Sequence, residues 1–428
     1  MLTFVTRPAG ARAPRAALAV SAAALVLFAS PAQATDGYFL NGSGAKAKGA
    51  GGVGIAMPQD ALAIAANPAA ATSLGHRLDI GVEIFVPDRG AEIAGNGAGL
   101  DGRYSGNGSN PFVLPEIGYV RPLSDRVALG LAINGNGGMN THYKANPFAS
   151  FGAQGVAGVN LQQIQISPTL AVEVVPGHSL GVSPVIVLQG FEMTGAQPFA
   201  GYSQAPHHFT NRGVDWSAGV GVRLGYLGQL TPFLKVGGFY QSKVKTGDFD
   251  RYAGLFADGG SFDVPEAWGL GAALTPVPAL TLGADYKRIN YGGVAAVGNP
   301  IDVLFQGRPF GSDGGPGFGW RNVDVWKLGA VYTASDRLTL RAGYGRSDNP
   351  VPRAQTLLNI FAPGVVRSHY TLGATFALSD RAEVTGYAMR APRQTVRGEG
   401  SIPAPFGGGE ADVSLAETSV GFSLGLKL

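Results

Sequence analysis

Arg223, Lys287, Lys327 and Arg341 are basic residues set in stretches that are otherwise apolar and glycine-rich. A guanidinium or ammonium held away from water pairs strongly with a carboxylate. The chemistry these four side chains offer is therefore recognition of an acid group, either on a ligand or on the chain itself at Asp215, Asp285 or the N-terminal segment. Other reactive patterns are weaker. No G-x-S-x-G turn presents a serine nucleophile, so no enzymatic activity is expected. Gly49-Ala50-Gly51-Gly52-Val53-Gly54 satisfies G-x-G-x-x-G but does not follow a strand in a βαβ unit, and no nucleotide cofactor is expected. His207-His208 has no acidic or further histidine partner nearby, and no cysteine occurs in the 428 residues, which argues against a metal centre and excludes a disulfide scaffold.

The elements that carry these cations alternate with period two. In the last of them Val420, Phe422, Leu424, Leu426 and Leu428 point one way, and Ser419, Gly421, Ser423, Gly425 and Lys427 the other. The same apolar rows recur in Ile164, Ile166, Leu170 and Val172, in Trp216 to Tyr226, in Leu280 to Tyr286, in Leu338 to Tyr344 and in Tyr370 to Phe376, with aromatics at the run ends. The opposite rows hold Gln163, Gln165, Ser167, Asp215, Ser217, Arg223, Asp285, Lys287 and Arg341. Short turns with Asp, Gly or Pro are expected at 123–126, 175–178, 227–230, 275–278, 334–337 and 378–381. Each joins two runs. With one strand before the first pair, from Leu78 to Val86, and one after the last, the reading is fourteen strands. Pro115, Pro168, Pro184 and Pro265 lie inside these runs and predict bulges or shifted boundaries.

Arg7, Arg12 and Arg15 followed by apolar Ala16 to Ala29 and Ala32-Gln33-Ala34 form an export signal with a cleavage site, giving a signal peptide over 1–34. Its removal takes three of 32 basic residues and no acid, which leaves 29 against 29 acidic and no case for a nucleic-acid partner. Charged residues make up only 14% of the chain, below the roughly 25% of soluble domains. No run after residue 34 approaches the ~18 apolar residues of a spanning helix. An exported chain of alternating strands with a greasy face is read as all-β, a fourteen-stranded antiparallel transmembrane β-barrel over 77–428, with its charges in the lumen because lipid-facing charge costs about 2–4 kcal/mol at the midplane. A secreted β-sandwich is the bland alternative, but fourteen strands exceed what one sandwich uses.

Residues 35–76 do not alternate. They run through Gly37-Tyr38-Phe39-Leu40-Asn41-Gly42, a Gly-Ala tract, and Asp60 to Ala70, where a short helix should stop at Asn67 before Pro68. An N-terminal hatch with an Asn-Pro-Ala element, here Asn67, Pro68 and Ala69 with Asp60 upstream, followed by a fourteen-strand barrel, resembles the FadL family of outer-membrane transporters for long-chain fatty acids and other hydrophobic compounds. The likeness is sharp over Gly37 to Ala71 and architectural beyond. Departing from many outer-membrane barrels, the chain ends in Leu428 rather than an aromatic residue.

The resemblance implies capture of an apolar ligand between two extracellular loops, a luminal site against the hatch, and sideways release through a break in the third strand. Gly135, Gly137 and Gly138, in a run from Asn134 to Asn140, are the candidate gate, with Pro168 in the neighbouring strand withholding a bond. Phe199, Tyr202, Phe209, Tyr252, Leu255 and Phe256 are the candidate loop groove, read as exposed apolar surface. A monomer in the outer membrane of a Gram-negative bacterium is expected, in contact with outer-membrane lipid. A water-filled porin for small polar solutes, or an adhesive surface barrel, are the competing readings.

Overall fold

The computed structural model describes residues 35–428; the signal read over 1–34 lies outside the described residues. Fourteen strands form the wall: β1 (Arg77–Ala94), β2 (Phe112–Pro122), β3 (Val127–Asn140), β4 (Gly158–Val175), β5 (His178–Thr194), β6 (Asp215–Thr231), β7 (Leu234–Gln241), β8 (Ala267–Val277), β9 (Leu280–Ile289), β10 (Val323–Thr333), β11 (Leu338–Ser347), β12 (Ser368–Ala377), β13 (Ala382–Val396) and β14 (Glu410–Lys427). Each pairs antiparallel with the next, and β14 closes on β1 from Glu410↔Ala94 to Lys427↔Arg77. Closure leaves no free edge, which is what a sheet needs where water cannot bond its backbone. First-strand pairing extends to Ala94, well past the expected Val86, because β14 continues opposite it.

The expected faces hold. Val220, Leu372 and Phe422 are 60%, 66% and 60% exposed on the outward face, so no second sheet covers them and a sandwich is excluded. Near the long-loop end the outward aromatics stack in a belt: Trp268 on Tyr286 at 5.4 Å, Tyr286 on Trp326 at 4.8 Å, Tyr344 on Tyr370 at 5.2 Å. Two turns are corrected. Gly228 and Gln229 still pair with Val236 and Lys235, so the third turn lies not at 227–230 but at Pro232 and Phe233, where the proline lacks a ladder donor. Likewise β8 runs on to Val277 and turns through Pro278 and Ala279. Pro115, Pro168 and Pro184 are within strands, whereas Pro265 precedes β8.

The N-terminal segment packs on the inward faces. Instead of one α-helix, Asp60 to Ser73 form two 3-10 turns, Ala61–Ala65 and Pro68–Ser73. Asn67 does not merely stop the first; its Oδ1 accepts from Ala69 N–H and caps the second. Its amide nitrogen donates to the carbonyls of Ile55 and Tyr226, both at 2.8 Å, tying the segment to β6. Luminal glycines make this approach sterically feasible. A Cβ on Gly225 would lie 2.1 Å from Asn67 Oδ1, and one on Gly181 2.3 Å from Ala69 N. Buried ion pairs complete the docking: Lys48 with Glu83 (2.8 Å) and Glu116 (3.0 Å), Lys46 with Glu383, and Asp36 with Lys287 (2.8 Å) and Lys327 (3.1 Å).

Gly225→Val should destabilise the folded protein by about 2 kcal/mol or more by overpacking against Asn67, while outward Gly238→Val, whose Cβ meets the flexible end of Leu270 at 3.2 Å and Gly269 O at an ordinary 3.5 Å, should change little. Limited proteolysis of residues 35–76 and urea titration would check both. Burial, then the neighbouring Asp79, pushes the Asp60 carboxyl up to about 7 against an ordinary 3.8, with Lys46 and Arg77 opposing and Glu116 adding. The folded chain thus binds a proton there that the unfolded chain does not between about pH 7 and 4, so this group's contribution to stability grows as pH falls through that window and is lost above it. Asp60→Asn, which keeps a capping acceptor, should raise the urea midpoint above wild type at pH 8 and match it more closely at pH 5. The reverse order would mean that pairing with Lys46 and Arg77 outweighs burial.

Candidate functional site

Beside the N-terminal segment the barrel ladder between two neighbouring strands stops short. Strands β2 and β3 pair from Pro122↔Ala128 to Ile117↔Ile133 and no further. Beyond that point Phe112 to Glu116 keep only their β1 partners, and Asn134 to Asn140 only β4, with a register slip between Gly135 and Gly137. The slip is a local bulge, and glycine permits the bend. From inside, Phe39 pairs with Gly137, and Gly138 N–H donates to Tyr38 O at 3.1 Å. A Cβ on Gly137 would stand 2.3 Å from that carbonyl oxygen, so no other residue fits there unshifted. Toward the loops the gap is closed by Arg89, which donates to Asn140 O (2.8 Å) and Oδ1 (2.7 Å), by Ser109 on the same Oδ1, and by Gly108 N–H on His142 O at 3.1 Å. One sequence expectation is corrected. Pro168 does not weaken β3, since Leu131↔Pro168 lies within a continuous β3–β4 ladder.

Behind the gap lies a cavity of about 90 Å³, bounded by Asn134 and Gly135 of β3, by Phe39 and Ile55 of the N-terminal segment, and by Phe239 and Val325. Its polar groups come from Gln165, Arg223, Gln241, Asp285, Lys287 and Lys327. Of the four candidate cations the structure brings three here and gives two of them acids: Lys287 and Lys327 both hold Asp36, and Lys327 also donates to Asn41 O. Arg341 is elsewhere, donating to Gln59 Oε1 and Thr375 Oγ1 at 2.7 Å each. Asp285 accepts from the N–H groups of Gly54 and Ile55 at 2.8 and 3.1 Å.

Arg223 differs from the rest. It is 7% exposed, forms no ion pair among the described residues, and its Cζ sits 5.8 Å from the Phe239 ring centre. One Nη donates to Gln241 Oε1, while Nε and the other Nη have no partner among the described residues. Gln241 Nε2, Asp285 Oδ1 and Asn134 Oδ1 around the same cavity are also unpartnered. Buried polar atoms are almost always bonded, so this cluster of open donors and acceptors offers hydrogen bonds to water or to a polar group of a ligand. Gln165, Gln241, Asn134 and Phe39 were missed as site residues. Gln165 was assigned to the luminal row, but nothing in the periodicity distinguishes a cavity-lining position from a wall position.

The loop aromatics are not exposed surface. Phe199, Phe209, Tyr252, Leu255 and Phe256 are buried and only Tyr202 is 37% exposed, because the long loops fold together over the barrel mouth. Phe199, Phe209, Leu255 and Phe256 line a small apolar cavity of about 30 Å³. Tyr252 instead packs edge-on against Phe191 at 4.9 Å and donates to Gly213 O. Tyr202 packs edge-on against Phe406 at 5.1 Å. His207 and His208 belong to no metal-ligand cluster among the described residues.

The family model for outer membrane protein transport proteins (OMPP1/FadL/TodX) matches residues 25–399. Among solved structures, the P. putida toluene transporter TodX is 17% identical with a TM-score of 0.66, over 91% of this chain and 99% of that one. A Pseudomonas aeruginosa FadL homologue is 18% identical with a TM-score of 0.67, over 91% and 98%. The Ralstonia pickettii toluene transporter TbuX is 17% identical with a TM-score of 0.60, over 90% and 98%. At such identities the likeness is one of fold. No curated protein sequence matches the chain. The family match spans most of the chain and agrees with the closed barrel, and the protein belongs to the OMPP1/FadL/TodX family of outer-membrane transport channels for hydrophobic compounds, which are not enzymes.

Proposed function

We propose that this protein admits amphiphilic carboxylates, long-chain fatty acids foremost, across the outer membrane of a Gram-negative bacterium. It does so as a monomer that binds the acid group at Arg223 and releases the chain sideways between β2 and β3. In this reading residues 1–34 are removed on export, residues 35–76 act as a hatch anchored by Asn67, Pro68 and Ala69, and 77–428 form the wall. The observation that carries it is Arg223, a buried guanidinium with open donors and no acid partner among the described residues, facing a cavity whose walls combine polar side chains with Phe39, Ile55, Phe239 and Val325. A ligand carboxylate would accept from Nε and Nη of Arg223 and from Gln241 Nε2. Its alkyl chain would lie along Phe39, Phe239 and Val325. Lys287 and Lys327 serve Asp36 and are not the anchor.

The unpaired stretch at Gly135, Gly137 and Gly138 supports lateral release, since the cavity abuts it directly. Tyr38 and Phe39 occupy its inner side, joined to β3 by Gly138 N–H to Tyr38 O and the Phe39↔Gly137 pair and held from within by Tyr291, whose hydroxyl accepts from Tyr38 N–H at 3.1 Å, so exit requires displacement of this short segment. The apolar pocket of Phe199, Phe209, Leu255 and Phe256 is the first capture point, with Tyr202 at its rim and Tyr252 bracing the loop. A second reading, passage of monoaromatic hydrocarbons, is favoured by the fold neighbours described as toluene transporters. It needs no cation.

Arg223→Gln should weaken oleate binding to the detergent-purified protein by roughly 10- to 100-fold, the worth of a charge-assisted hydrogen bond of about 1.5–3 kcal/mol. Toluene binding should be unchanged. Calorimetry showing equal oleate affinity for wild type and Arg223→Gln would remove the carboxylate reading and leave the hydrocarbon one. Pro115→Cys and Gly135→Cys continue the register of Ile117↔Ile133 across the gap in a chain with no other cysteine. Oxidised, this pair should retain oleate binding yet lose most uptake in whole cells, and reductant should restore it. Undiminished uptake in the oxidised form would rule out exit between β2 and β3.

A further inference from the structure

A second interruption lies in the wall, two strands beyond the first. The β4–β5 ladder runs through Gln165↔Val187 and Ile166↔Ile186, stops, and resumes at Leu170↔Val182. That register sets Pro168 directly opposite Pro184. Neither residue has an N–H to give. The outer ladders pass through both prolines intact, at Leu131↔Pro168 and Pro184↔Val222, so the missing donors face each other. In place of the ladder, Ser183 Oγ donates to Pro168 O at 2.8 Å and approaches Pro184 O at 3.1 Å. A single hydroxyl thus closes the wall where two backbone donors are absent.

The position of this seam connects two media. Outward, Pro168 and Pro184 sit among Leu170 and Val182, which are 42% and 39% exposed in the apolar band. Inward are buried Ser167 and Ser183. Ser167 Oγ accepts from Gln165 Nε2 at 2.7 Å, and Gln165 lines the Arg223 cavity. Ser183 is the register partner of Arg223 itself. Proline removes a ladder hydrogen bond and is ordinarily confined to sheet edges and bulges, so two facing prolines inside a closed barrel are unusual for a wall that serves only as a wall.

We propose that the Pro168–Pro184 seam is a second lateral port, through which an alkyl chain exchanges between the Arg223 cavity and the membrane independently of the gap between β2 and β3. Rotation of Ser183 off the Pro168 carbonyl opens it. The carboxylate reading of Arg223 supplies the ligand's head group, but the port follows from the ladder alone and is tested without ligand.

Single-cysteine proteins carrying Ser167→Cys, or Ser419→Cys on the buried luminal face of β14 as a control, are reconstituted into vesicles and exposed to a maleimide dissolved in the lipid phase. The port predicts modification of Ser167→Cys, slowed severalfold when Pro168→Val and Pro184→Val restore both donors. The rate at Ser419→Cys should be the same with and without the proline replacements. Folding of each variant is checked by its heat-modifiable migration in gels. Failure of the lipid-phase reagent to reach Ser167→Cys, or equal rates with and without the prolines, overturns the port whatever the outcome of oleate binding.

Discussion

Everything in this molecule follows from one requirement: in a medium without water, each backbone N–H and C=O must find a partner within the chain. A sheet meets it only by closing, and pairing of β14 with β1 closes this one. Against that background the places where pairing stops carry information. Between β2 and β3 the lost partner is replaced by the N-terminal segment, through Tyr38 and Phe39. Between β4 and β5 it is replaced by the hydroxyl of Ser183. Both substitutes make fewer hydrogen bonds than the strand-to-strand ladder they replace.

The same requirement shapes the interior. The segment inside the barrel contributes its own polar backbone, which the luminal residues must satisfy. Asn67 bridges Ile55 and Tyr226, Asp285 receives two N–H groups, and Thr371 bonds both Gly51 N–H and Gly49 O. Glycines at 181, 225 and 343 let the two backbones approach closely enough for this. The same docking brings charges together, Asp36 holding both Lys287 and Lys327 and Lys48 holding both Glu83 and Glu116, while Arg341 meets the neutral acceptors Gln59 and Thr375. Among the described residues Arg223 keeps two open donor nitrogens, whereas Lys287, Lys327 and Arg341 are bonded.

Much of the wall was legible because period two reports which side a residue faces. The outward rows at Val220, Leu372 and Phe422 and the inward Gln163, Gln165 and Ser167 stand as read. Strand number followed from turn chemistry even where Pro232 and Phe233, rather than 227–230, make the turn. What periodicity does not carry is partnership. Whether the donor missing at Pro168 matters to β3 or to β5 depends on the phase of the ladder, which no single strand encodes. Which of four cations is free depends on where Asp36 comes to rest, and it comes from a segment with no period. The loop aromatics looked exposed because each loop was read alone, but Phe148, Phe199 and Phe361, from three different loops, meet only in the folded mouth.

The central claim is that the packing leaves Arg223 open for a ligand's acid group. A crystal structure of the protein grown with oleate tests it most directly. The account requires the carboxylate to lie within hydrogen-bond distance of Arg223 Nε and Gln241 Nε2, with the chain against Phe39 and Phe239. A carboxylate bound instead to Lys287 or Lys327 with Asp36 displaced, or oleate held only among the loops, would contradict it.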